Sequence, residues 1–189
     1  MNWIHRRLCS SDRWAGVVEE KLLPWALAGV TLGEEVLEIG PGFGATTKVL
    51  AGTVPRLTAV EVDPASAALL DRELGDRATI VTGDATDLQF PDESFDAVVC
   101  FTMLHHVPSP AAQDRLFAEA CRVLRPGGTF AGSDSRYSHR FRLLHLGDTM
   151  VVVDPDALPD RLRRAGFTDP TVSSAGGSYR FRARKTGLS

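Results

Sequence analysis

The sequence predicts an α/β fold: a doubly wound, mostly parallel sheet of seven strands with an N-terminal helical cap and a C-terminal antiparallel hairpin. Three observations predict it. Short apolar runs alternate with stretches of helical pattern from residue 36 to residue 133, and strands separated by crossover helices pair in parallel. The first run leads at once into glycines at alternate positions, Gly40, Gly42 and Gly44. The last two runs meet at Gly176-Gly177, a hairpin signal.

The elements follow in order. Residues 1–35 carry no strand pattern and form a helical leader. Ser10 or Ser11 can cap a helix in which Trp14, Val17, Val18, Leu22 and Trp25 share a face, and Pro24 should kink or end it. The polar run 1–12, with Trp3, His5, Arg6 and Arg7, has no periodicity of its own. Residues 36–39 form the first strand, apolar enough for burial on both faces. A helix over 46–51 and a second strand over 57–62 come next. Asp63-Pro64 then opens a helix, with aspartate as cap and proline in the first position, and Gly75 ends it.

The third strand spans 78–82, before Gly83-Asp84-Ala85, and the fourth spans 95–101. A helix over 111–124 turns at Arg125-Pro126-Gly127-Gly128 into a fifth strand, 129–133. Asp154-Pro155 repeats the cap-plus-proline signal for a helix through Ala165. Strands over 172–174 and 179–183 close the chain. In the last of them Tyr179, Phe181 and Ala183 alternate with Arg180, Arg182 and Arg184. One buried and one solvated, snorkelling face explains this better than a nucleic-acid stripe. The expected organisation is one domain, 1–189, divided into the leader 1–35, a ligand-binding core 36–133, a lid 134–153 and the closing helix and hairpin 154–189.

Composition narrows the function classes. At 189 residues and 20.5 kDa the chain has the size of one domain. A net charge of −3 and a pI near 5.9 argue against a general polyanion binder. Cys9, Cys100 and Cys121 are far apart without C-x-x-C spacing, as expected of free thiols in a reducing, cytoplasmic setting rather than a disulfide framework or zinc site. Arg6-Arg7 is followed by no apolar segment, so no signal peptide is expected. No run has the roughly 18 apolar residues that a membrane span needs.

The chemistry should sit beyond the carboxyl ends of the strands, where strand order reverses. Gly40-x-Gly42-x-x-Ala45 satisfies a dinucleotide fingerprint, a weak signal alone. Glu38, two residues before the first glycine, would repel a pyrophosphate and suits a cationic ligand; capping of local backbone N–H groups is its bland alternative. Glu61 ends the second strand, where a carboxylate can accept two hydrogen bonds from a cis-diol, or else is a surface charge. Asp63 competes for that role but fits a helix cap better. Asp84 can meet an adenine amino group while the Ala85 N–H faces a ring nitrogen. Phe101 through His106 and Ser133 through Ser135 complete this edge.

The chain from about residue 34 onward resembles the class I S-adenosylmethionine (SAM) dependent methyltransferases of the small-molecule type, a Rossmann-like fold. The resemblance rests on Glu38-Ile39-Gly40-Pro41-Gly42-Phe43-Gly44, Val60-Glu61-Val62-Asp63, Gly83-Asp84-Ala85-Thr86, Phe90-Pro91-Asp92-Glu93-Ser94-Phe95-Asp96 and Leu124-Arg125-Pro126-Gly127-Gly128. Each motif is weak singly; five in register are a strong signal. It implies that Gly40, Gly42 and Gly44 back the methionine part and that Glu38 lies near its ammonium. It further implies that Glu61 takes the ribose hydroxyls, and that Asp84 and Ala85 take the adenine, with Phe101 beside them.

The implied cofactor is SAM, with S-adenosylhomocysteine as product and no metal. The implied partner is a small-molecule acceptor, with neither nucleic acid nor membrane. An RNA methyltransferase, a nicotinamide oxidoreductase and a cofactor-binding protein without catalysis are the alternatives. Against the first, Phe101-Thr102-Met103-Leu104 stands where an Asn/Asp-Pro-Pro-Tyr/Phe motif would.

His105 and His106 are candidates for a general base, with a packed structural histidine an equal reading of each. Residues 134–153 run long before the next helix, and connections of that length serve as lids or binding loops. Arg136, Tyr137, His139, Arg140, Arg142 and His145 crowd its first half, followed by Met150 and a run of valines. Two expectations compete: an amphipathic lid helix with solvated arginines, or arginines that pair with a carboxylate or phosphate on the acceptor.

Overall fold

The computed structural model describes residues 11–145 and 147–187, apart from the side chains of Asp12, Arg140 and Leu144. The expectations placed on residues 1–10 lie outside that range. The chain opens with α1 (Asp12–Val17), capped by Ser11, whose hydroxyl accepts the Trp14 N–H at 3.2 Å. A π-helical turn, Val18–Leu22, follows and leads into α2 (Leu23–Ala26). The disturbance expected of Pro24 thus falls just ahead of it, as a π-helical turn that runs on into α2.

Strands β1 (Glu35–Ile39), β2 (Arg56–Glu61), β3 (Thr79–Thr82) and β4 (Phe95–Phe101) alternate with α3 (Ala45–Leu50) and α4 (Pro64–Leu74). A short 3-10 turn, Leu104–His106, and α5 (Pro110–Val123) lead to β5 (Leu124–Ser135). Then come α6 (His139–Leu144), α7 (Leu158–Arg164), β6 (Phe167–Ala175) and β7 (Ser178–Lys185). The seven-stranded sheet has the order β3-β2-β1-β4-β5-β7-β6. The first five strands are parallel, and β7 pairs antiparallel with β5 and β6. The order reverses between β1 and β4, which places the crevice at their carboxyl ends.

β4 shows why the sheet is buried on both faces. Ala97, Val98, Val99 and Cys100 are all fully buried, and the period of two sends alternate residues to opposite sides. Val98 and Cys100 join Leu116, Phe117 and Phe130 in one core; Ala97, Val99 and Phe101 join Val18, Leu23 and Leu50 in the other. The arginines of β7 stay out of the core as expected. Arg180 donates to the Trp25 carbonyl and stacks over its ring, and Arg182 donates to the Gly29 carbonyl at 3.3 Å. They tie the leader to β7, one strand in from the sheet edge. Among the described residues no helix is long and apolar enough to cross a membrane.

Among the boundaries that move, the strand expected over 172–174 spans Phe167–Ala175, and two others have local reasons. Residues 124–128, read as a turn, belong to β5: Leu124 pairs with Phe95, and a register shift absorbs the extra residues before Ala97 meets Thr129. Gly127 takes φ 79° there, and a Cβ on Gly128 would sit 2.8 Å from the Arg125 carbonyl oxygen, so the glycines serve a bulge. The second correction concerns Asp154-Pro155. Asp154 accepts the Asp156 N–H in a turn, and α7 begins only at Leu158. Asp63, by contrast, caps α4 by accepting the Ser66 N–H at 3.1 Å. Asp63→Ala should lower stability by about 1 kcal/mol in urea unfolding and leave ligand affinity unchanged. A loss of affinity without a loss of stability would reassign the residue to the site.

Candidate functional site

The loop after β1 is held in shape by its own backbone: the Gly40 N–H donates to the Val60 carbonyl and the Gly44 N–H to that of Pro41, both at 2.9 Å. Gly40, Gly42 and Gly44 have φ of 68°, 57° and 77°, a region that L-residues with a Cβ rarely adopt. Their surroundings differ. A Cβ on Gly40 would come within 3.0 Å of the Met103 side chain, and one on Gly44 within 2.4 Å of Leu70 Cδ2. A Cβ on Gly42 would meet nothing within 4 Å. Gly42 is therefore the position where bare backbone faces open space, while its neighbours are bare to admit packing.

Glu38 lies beneath this loop with 1% of its surface exposed. It accepts a hydrogen bond from the Thr46 hydroxyl, whereas Oε2 is enclosed and has no partner among the described residues. The Thr47 hydroxyl is near enough to favour the charge but completes no hydrogen bond. Burial dominates and pushes the Glu38 carboxyl up to about 7, with a smaller push from Glu61. An enclosed carboxylate with an unused oxygen is the group a cationic ligand would complete.

Glu61 is no surface charge, being 7% exposed. Its Oε2 accepts the Gly42 N–H and its Oε1 the Asp63 N–H, each at 3.0 Å. A carboxylate has about four acceptor positions, so two remain for a diol while the other two fix the loop to the end of β2. Asp84 is exposed and accepts the Thr86 N–H at 2.8 Å; Ala85 packs partly buried beside it. Phe101 is 4% exposed with its ring in the core, so only its backbone borders the crevice. Thr102, which the sequence pattern did not single out, adopts φ 51°. For a β-branched residue that is strain, held here by an N–H bond to the Ser133 carbonyl at the mouth of the crevice.

Beyond Thr102 the structure gathers a polar cluster. His105 and Asp134 are 2% and 1% exposed. Asp134 accepts the His105 backbone N–H at 2.9 Å, His105 Nδ1 at 2.6 Å and the Ser135 N–H at 2.7 Å. His105 Nε2 lies 3.2 Å from His145 Nε2, and His145 Nδ1 meets the Phe141 carbonyl at 2.8 Å. Burial lowers the pKa of His145. His106 is half-buried, its ring 4.2 Å from that of His105. Gln113, 1% exposed, donates to the carbonyls of Leu104 and Val151 and fastens the segment around Val151 beside the cluster. Asp134 falls within the expected edge 133–135 without a role of its own, and Gln113 escaped the sequence reading.

A cavity of about 800 Å³ lies against residues 136–155. Arg136, Tyr137, Arg142 and His145 line one part of it, Met150, Val152 and Val153 another, and Asp148 and Asp154 add negative charge. No residue of the glycine loop lines it; His145, in contact with His105, is its link to the crevice. His139 is exposed and does not line the cavity, and the Arg140 side chain lies outside the described residues.

Comparison with known proteins is consistent with this geometry. A family model described as a methyltransferase domain matches residues 37–132. A demethylmenaquinone methyltransferase of Tropheryma whipplei is 35% identical over 117 residues, 61% of this chain and 47% of that protein. The chain thus spans about half the length of that relative. A protein of the same name from Roseiflexus castenholzii is 41% identical, with 80% of this chain and 77% of that one covered. Among solved structures, a SAM-dependent methyltransferase of Thermotoga maritima, described as a possible histamine N-methyltransferase, superposes with a TM-score of 0.76. At 20% identity it covers 97% of this chain and 98% of its own, and shares the fold.

Proposed function

The chain belongs to the methyltransferase domain family, and from that premise we propose that it binds SAM at the glycine loop and methylates a small organic acceptor. The observation that carries the proposal is Glu38, a fully buried carboxylate beside the loop with an oxygen left unpartnered. That arrangement suits a cofactor with a positive charge and would reject a pyrophosphate. Glu61 offers its remaining lone pairs to the ribose diol, Gly42 lets the backbone approach, and Asp84 with the Ala85 N–H reads the adenine. Bound SAM supplies an electrophilic methyl group, so the chain's own task is to align the acceptor and exclude water.

The acceptor side of the proposal rests on the lid cavity. Arg136 and Arg142 line it together with Met150, Val152 and Val153. This supports an acceptor with an apolar body and an anionic group, met by arginines that stand exposed at the cavity wall. The relatives named for demethylmenaquinone make that compound the first acceptor to assay. His105 is a poor candidate for a base, because Asp134 occupies Nδ1 and His145 faces Nε2. His106 remains the candidate of the pair, being half-buried.

A thermal-shift titration with SAM, S-adenosylhomocysteine and NAD tests the reading. The two SAM-type ligands should raise the melting temperature with concentration, by the equivalent of about 2.7 kcal/mol at a hundred times Kd. NAD should do nothing. A response to NAD alone, or to none of the three, would overturn the assignment.

A further inference from the structure

We propose that His105, His106 and His145 form a binding site for a divalent metal ion of the zinc type, contrary to the sequence expectation of no metal. Each of the three offers one ring nitrogen, and these atoms lie within 4.8 Å of one another.

For His105 and His145 the hydrogen bonds fix which nitrogens they are. The Phe141 carbonyl can only accept, so His145 Nδ1 carries the proton and Nε2 presents a lone pair. An ionised carboxylate also only accepts, so His105 Nδ1 donates to Asp134 and its Nε2 likewise presents a lone pair. The two Nε2 atoms then face each other at 3.2 Å. Two lone pairs at that distance repel unless a proton or a cation lies between them.

The spacing fits a metal. Two imidazole nitrogens at 2.0–2.1 Å from a tetrahedral zinc stand about 3.3 Å apart. The surroundings fit as well. Metal-bound histidines donate their other N–H to a carboxylate or a backbone carbonyl, which fixes the tautomer and raises ligand basicity. Asp134 and the Phe141 carbonyl already do this for His105 and His145. His106, adjacent to His105 and half-buried, offers the third ring nitrogen of the cluster. The fourth position would go to water, since His145 also lines the cavity. A metal there would join the lid, through His145, to the end of β4.

The test uses the full chain stripped of metal with a chelator and needs no methyl acceptor. Zinc titrated against a chromophoric competitor should bind one ion per chain. Cobalt(II) in its place should give the intense visible bands of a tetrahedral site. Asp134→Asn should weaken zinc by about 10–100-fold, the usual cost of losing a carboxylate behind a histidine ligand. His145→Gln and His106→Gln should each weaken it at least as much. His106 is half-buried, so that variant keeps the test open if the others fail to fold by circular dichroism. Zinc uptake that is absent, or unchanged in a folded His106→Gln or His145→Gln protein, overturns the proposal and leaves a shared proton as the bridge between the rings.

Discussion

Glu61→Ala is expected to weaken SAM binding by about 2–3 kcal/mol, some 30–150-fold in Kd, the scale of lost charge-assisted hydrogen bonds. Two losses add up in that figure. The ribose diol loses its acceptor, and the loop loses its anchor, because Glu61 also accepts the N–H groups of Gly42 and Asp63. Those donors are left to find water, and the loop must then be ordered by the ligand itself. Glu61→Gln separates the two contributions. Its amide oxygen can keep one of the two N–H bonds but loses the charge towards the diol. An intermediate affinity for the glutamine variant supports both roles. Isothermal titration that finds wild-type affinity in a folded Glu61→Ala protein sinks the assignment.

The parts of the molecule that were legible in the sequence are those where one local pattern decides the outcome. The runs that became β1 and β4 are apolar on both faces, and only burial between layers satisfies them. Asp63-Pro64 gives a cap because both residues act on the turn they begin. Asp154-Pro155 carries the same local signal and yields only a turn, since packing of Leu158 and Leu162 into the core decides where α7 starts. Residues 124–128 looked like a turn because glycines serve turns and bulges alike; pairing with the strand beside them settled which.

The histidine cluster was half legible. His105 and His106 stood out as adjacent histidines after a buried strand. Their partners stand 29 and 40 residues away in sequence, at Asp134 and His145. Periodicity reports which face a residue occupies, and does not report which distant residue meets it there. Thr102 illustrates the same limit: nothing in its identity announces a positive φ, which the junction of β4 with β5 imposes.

Glu38→Gln is expected to move stability and cofactor affinity in opposite directions. In the unliganded protein, burial raises the Glu38 carboxyl from 4.5 to about 7. Between those values the folded state binds more protons than the unfolded state, so stability falls as pH rises through the window. The full penalty, on the order of 3 kcal/mol, is reached above the folded pKa. Glutamine carries no charge to desolvate and can still accept from Thr46, although its amide N–H groups need partners in the space where Oε2 had none. Urea unfolding should therefore find the variant more stable than wild type by about 1–2 kcal/mol near pH 8, with that advantage gone near pH 5.

Binding should show the reverse sign. A cationic ligand favours the carboxylate, so wild-type affinity for SAM should rise with pH through about 7, with a proton released on binding. The variant should bind about 10–100-fold more weakly near pH 8 and lose that pH dependence. S-adenosylhomocysteine identifies the group concerned, because it keeps the ammonium and lacks the sulfonium. Equal losses for the two ligands assign Glu38 to the ammonium, and a loss confined to SAM assigns it to the sulfonium. Wild-type affinity for both near pH 8 would leave Glu38 as a structural carboxylate and remove the observation on which the cofactor reading rests.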